Sequence, residues 1–107
     1  MPYYLVQASY KDTAAKALVA RPQERSAVVK KMITSLGGKL HSYFLAFGEY
    51  DVVAIVELPG NEAAVAMGLA SVSGGALSKY NTTVLLSPDE ATAAMKRAKK
   101  VPYAAPK

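Results

Sequence analysis

Apolar residues recur along this chain with two spacings. The run Tyr3 to Tyr10 is rich in aromatic and branched residues and stops at Lys11-Asp12, which predicts a strand. Two further apolar runs, Leu40 to Phe47 and Val52 to Leu58, are joined by a turn holding a Gly and an Asp, and predict a hairpin. A fourth strand is expected over about Ala76 to Leu86, with a branched cluster at Thr82-Thr83-Val84.

Between the strands the spacing turns helical. Val29, Met32, Ile33 and Leu36 make one apolar face of a helix expected from about Pro22 to Leu36, which Gly37-Gly38 would close. A weaker helix, capped by Asp12 or Thr13, is expected through Leu18 and Val19 and is broken at Arg21-Pro22. Asn61 would cap a third, small-residue-rich helix reaching about Val72, with Val65, Leu69 and Val72 as its buried stripe and Gly68 close to the sheet. Ser87-Pro88-Asp89-Glu90 reads as a capping box opening a last helix to about Lys100. The order β-α-β-β-α-β plus a terminal helix gives an α+β fold of the ferredoxin-like split βαβ type, an antiparallel sheet with helices on one face. Residues 1–100 are expected to form one domain and 101–107 an extended or disordered tail.

The hairpin carries a second message. With Glu49 and Tyr50 as a two-residue loop, Phe47 pairs with Val52, Leu45 with Ala54 and Tyr43 with Val56. Alternation then puts His41, Tyr43 and Leu45 on one face and Leu40, Ser42 and Phe44 on the other, with Val53 and Ile55. Neither face is polar. A chain of 107 residues supplies helices for one face only, so a second copy is expected on the other, making the protein at least a dimer.

Composition narrows the chemistry. The absence of cysteine excludes disulfides, thiolate metal sites and a cysteine nucleophile. A single His rules out a multi-His metal centre within one chain, although a symmetric oligomer can bring copies together. No cofactor is expected. No stretch reaches the roughly 20 apolar residues of a membrane helix, and the first residues lack a charged-then-apolar leader, so a cytoplasmic protein without membrane contact is expected. The net charge of +5 is terminal: Lys96, Arg97, Lys99, Lys100 and Lys107 lie beyond the last acid, Glu90, and the remainder holds eight basic and eight acidic residues. Such a tail solubilises a helix end and complements its dipole. Nucleic-acid binding through the sheet would need aromatic residues on both central strands, and Val52 to Leu58 has none.

Gly48-Glu49-Tyr50-Asp51 closely resembles the Gly-Tyr-Asp signature of the GYD-domain family of small bacterial proteins. Leu36-Gly37-Gly38-Lys39-Leu40 and Val53-Ala54-Ile55-Val56-Glu57 resemble the same family, over about residues 1–98 in all. The resemblance implies a dimeric α/β barrel, in which the open faces of two ferredoxin-like protomers meet. Related barrel families include cofactor-free monooxygenases, haem enzymes and small-ligand sensor domains.

Two sets of residues are candidates for function. In the signature turn, Tyr50 would donate into a pocket and Asp51 position it or act as a base; alternatively Asp51 accepts backbone N–H groups, Tyr50 packs against a neighbour and Gly48 supplies an unusual backbone angle. Gln7, His41, Tyr43 and Tyr80 are expected to converge in a pocket on the open sheet face, with His41 as a candidate base or haem ligand. A non-enzymatic small-ligand-binding or accessory module follows as the leading expectation. An enzyme of cofactor-free oxygenase or isomerase type, with His41 or Asp51 beside a cavity, is the alternative. A purely structural protein, its open face filled by the partner, is the third.

Overall fold

A computed structural model describes residues 1–107. Its elements are β1 (Tyr3–Tyr10), α1 (Asp12–Ala20), α2 (Ser26–Ser35), β2 (Lys39–Leu45), β3 (Val52–Glu57), α3 (Asn61–Ser73), β4 (Leu77–Leu85) and α4 (Pro88–Ala98). The strands form one antiparallel sheet in the order β2-β3-β1-β4, the ferredoxin-like arrangement. Alternation along the central strands sorts the side chains. Tyr4, Val6, Ala54 and Val56 point to the helical side and join Ile33, Leu58, Ala64 and Met67 in the core. Leu5, Gln7, Val53 and Ile55 lie on the other face, which no helix covers, and are only half-buried.

The loop geometry follows from named residues. Helix α2 ends in a Schellman motif: Gly37, at φ +81°, donates to Thr34 O and Gly38 donates to Ile33 O. A side chain at Gly38 would collide with the Glu57 carbonyl, so glycine lets α2 turn directly onto β3. Helix α2 starts at Ser26, later than Pro22, because the Glu24 carboxylate takes the Ser26 N–H at 2.6 Å and leaves residues 21–25 as a linker. Asn61 is the first residue of α3 and does not cap it. Its Oδ1 instead accepts the hydroxyl of buried Tyr4 at 2.8 Å. The capping box at α4 forms as expected, with Ser87 Oγ accepting from Glu90 N and Glu90 Oε1 accepting from Ser87 N.

The hairpin departs from the expected register. Strand β2 stops at Leu45, which pairs with Val52, and Tyr43 pairs with Ala54, so residues 46–51 form the loop. A bulge between Leu40 and Ser42 also shifts parity and brings His41 to the side of Glu57.

The helical side is only partly sealed. Eleven of 107 residues are buried, and Val65, Leu69 and Val72 of α3 are 60, 68 and 49% exposed, the reverse of the expected buried stripe. They lie toward the β4 edge of the sheet and stay open there, whereas α3 packs on the core through Ala64 and Met67. No residue of α4 is buried. The radius of gyration, 17.1 Å, exceeds the roughly 13 Å typical of this length, and the molecule is 57 Å long. No helix is long and apolar enough to cross a membrane.

Candidate functional site

Asp51 does its work through the backbone. Strand β3 begins at Val52, opposite Ala8, so the Tyr10 N–H on that edge of β1 lies beyond the ladder; the irregularity at Ser9/Tyr10 is an extra residue, Ser78, in the facing strand β4. Asp51 Oδ2 accepts that N–H at 2.9 Å, Asp51 N donates to Ala8 O at 2.9 Å, and Ala46 N donates to Asp51 O at 2.8 Å. Ser9 Oγ adds a bond to Glu49 O at 3.2 Å. Tyr50 lies beneath Lys79, its ring centroid 5.1 Å from the ammonium. Gly48 has neither a positive φ nor a close neighbour, so it supplies no unusual backbone angle. The signature turn is therefore a clamp between the β2–β3 loop and the end of β1.

The clamp holds the end of β1, where Tyr10 follows Tyr4, Val6 and Ala8 in plain alternation onto the helical side, beside Tyr43. Both line a cavity of about 320 Å³ between the sheet and the helices α2 and α3. Its walls are Val6, Ala8, Val52 and Ala54 from the sheet, Val28, Val29 and Met32 from α2, and Met67 and Ala70 from α3. Tyr80 of β4 closes one side, and its hydroxyl is buried beside those of Ser71 and Thr82 without a well-aligned hydrogen bond to either. Buried polar groups are nearly always paired, so this one marks a place for another polar atom.

Tyr10, Tyr43 and Arg25 also line an outer groove of about 960 Å³ running past α1 and the 46–51 loop. These three residues thus stand where groove and cavity meet. Arg25 bonds Gln23 Oε1 at 3.1 Å and has no carboxylate partner. Burial, with the Tyr10 hydroxyl adding to it, pushes the Tyr43 phenol up to about 12; burial also raises that of Tyr80. Both rings are neutral hydrogen-bond donors at pH 7.

The four residues expected to converge are divided by the sheet. Gln7 and His41 lie on the open face, whereas Tyr43 and Tyr80 lie on the helical side. His41 Nε2 is 2.9 Å from Glu57 Oε1, and its ring stacks on Tyr3 at 5.0 Å. The His41 hydrogen bond holds the Glu57 carboxyl below its ordinary value. His41 lines none of the three main cavities. Tyr10 and Arg25 escaped sequence reasoning. Tyr10 sits at a strand end held by a contact 41 residues away, and Arg25 falls inside the helix expected from Pro22, whereas the structure puts it in the linker before Ser26.

The chain is similar in fold to MtbAldR, known from its crystal structure, at 10% identity and a TM-score of 0.52 over 80% of this chain. It spans about half of that protein, 52% of its length. It is also similar to At3g17210 from Arabidopsis thaliana, at 14% identity and a TM-score of 0.48, covering 81% of this chain and 95% of that one. No curated protein matches it. The GYD domain model matches residues 4–95, nearly the whole folded body and the clamp at its centre, so the chain belongs to the GYD domain family.

Proposed function

We propose that the protein is a non-enzymatic binding module for a small, mainly apolar molecule with one hydrogen-bond acceptor, and that it works as a cytoplasmic homodimer joined through the open sheet face. The observation that carries this reading is the apolar cavity of about 320 Å³ holding the unpartnered Tyr80 hydroxyl. Its volume is at the lower edge of the roughly 300–1,000 Å³ of small-molecule sites. Arg25 and the Tyr43 hydroxyl at the junction favour a carboxylate as the acceptor. The open face supports the dimer: Leu5, Val53 and Ile55 are half-buried and Phe44 is 65% exposed beside them. The cysteine-free chain suits a reducing compartment.

The alternative, a cofactor-free oxygenase or isomerase, needs a base at the cavity. The cavity is lined by phenols held neutral, His41 is on the other face, and Asp51 is engaged by Tyr10 N. This arrangement favours binding over turnover.

A thermal-shift panel of small aromatic and branched-chain carboxylates, each beside its methyl ester, tests the proposal. At least one acid is expected to raise Tm. Tyr80→Phe is expected to weaken that binding about tenfold, in line with a lost buried hydrogen bond. Without ligand, Tyr80→Phe is expected to be as stable as the parent or more so, because it removes an unpaired buried hydroxyl. No shift from any compound, or a shift indifferent to Tyr80→Phe, would count against the cavity as the site. Light scattering reading a monomer at micromolar concentration would count against the dimer.

A further inference from the structure

Helix α3 is apolar on two sides. One side packs on the sheet through Ala64 and Met67; the other presents Val65, Leu69 and Val72 to solvent. These three border a groove of about 570 Å³ with Tyr80, Thr82 and Val84 of the edge strand β4. Gly68 brings α3 close to β4, since a Cβ there would stand 3.1 Å from the Tyr80 ring. Helix α4 is the converse. Its start is firmly capped, none of its residues is buried, and Ala91, Ala94, Met95 and Ala98 fall at i, i+3, i+4 and i+7. Eleven residues hold a helix poorly without packing. The chain thus has an unfilled apolar groove and an unpacked helix whose apolar stripe is small residues plus one methionine.

We infer that α4 of one copy docks into the α3–β4 groove of a second copy, and that the exchange is reciprocal. Direction selects the second copy over the chain's own helix. Strand β4 ends where α3 begins: Leu85 pairs with Tyr3, and the adjacent Tyr4 bonds Asn61. A helix folding straight back from Ser87 would run parallel to α3, with dipoles aligned and Asp89 and Glu90 beside Glu62. A helix from another copy enters antiparallel. Its dipole then opposes that of α3, and Lys96, Arg97, Lys99 and Lys100 reach Glu62. A two-fold axis makes the contact twice. The docked helix also covers Tyr80, the wall that the groove shares with the inner cavity.

The absence of cysteine makes the test clean. Full-length Leu69→Cys and Met95→Cys chains are mixed and mildly oxidised. The expected product is a 69–95 disulfide between chains, forming at least fivefold faster than when Leu69→Cys is mixed with Lys96→Cys, which lies on the polar side of α4. Equal rates for the two partners, or no 69–95 linkage, would overturn the inference. So would a Leu69→Cys/Met95→Cys double variant that closes within one chain while the mixed single variants do not link. As a second readout, the thiol of Met95→Cys is expected to react several-fold more slowly with a soluble disulfide reagent than that of Lys96→Cys, with the gap closing on dilution. A gap absent at every concentration, or unchanged by dilution, would equally overturn it. Neither experiment depends on a ligand, so failure here leaves the binding module standing.

Discussion

The two halves of the helical side are built from the same kinds of residue and come out differently. Over β1 and β3, Tyr4, Val56 and Leu58 are almost fully enclosed, at 1, 0 and 0% exposure. Over β4, Val65, Leu69 and Val84 are 60, 68 and 56% exposed. Hydrophobicity alone does not decide burial. The first half has α2 and α3 pressed on it, whereas the second is met by α3 from one side only, and α4 packs on neither. An apolar stripe on a helix therefore says that something covers it, without saying that the same molecule does.

Substitutions can pull the halves apart. Leu58→Ala is expected to cost about 2–5 kcal/mol, the range for a buried leucine, whatever the protein concentration, as read by urea unfolding. Leu69→Ala is expected to change little at high dilution, within about 0.5 kcal/mol, and to cost more where copies are paired; a fixed loss would erase the contrast. Next in size is Asp51→Ala, which strands the Tyr10 N–H and is expected to cost about 1–3 kcal/mol, with the loss read by the same unfolding experiment.

The pH effects are smaller. Tyr43 and Tyr80 have phenols raised by burial, so their contribution is complete below about pH 10, the unfolded value, and is lost as pH rises through the folded values. Absorbance titration is expected to show two of the seven tyrosines ionising late, with Tyr43→Phe removing one. At the acid end, Glu57 titrates below 4.5 because of His41. Its contribution is present above pH 4.5 and declines as pH falls through the lower folded value. Glu57→Gln is expected to flatten that decline slightly in a Tm–pH profile.

Much of the fold was legible because it is written in local patterns. The strand alternation at Tyr3–Tyr10, the apolar face Val29-Met32-Ile33-Leu36, the Gly37-Gly38 stop and the Ser87–Glu90 box each depend on residues within a turn or two. The candidate site was less legible because its assembly is non-local. A bulge at His41 separates that residue from Tyr43 and shows only in the β2–β3 pairing. Tyr10 keeps the plain alternation of β1, but it meets Tyr43 only through the β2–β3–β1 pairing, and the end of its strand is held by a carboxylate 41 residues further on.

That carboxylate acts as a tether. Asp51 is the residue just before β3, and it takes the N–H that β1 presents just beyond the end of the ladder. The last tyrosine of β1 is thereby held at the mouth of the cavity, while the strand's own alternation decides which way it points. The tetrapeptide fixes where the chamber opens and leaves its lining to residues elsewhere in the chain.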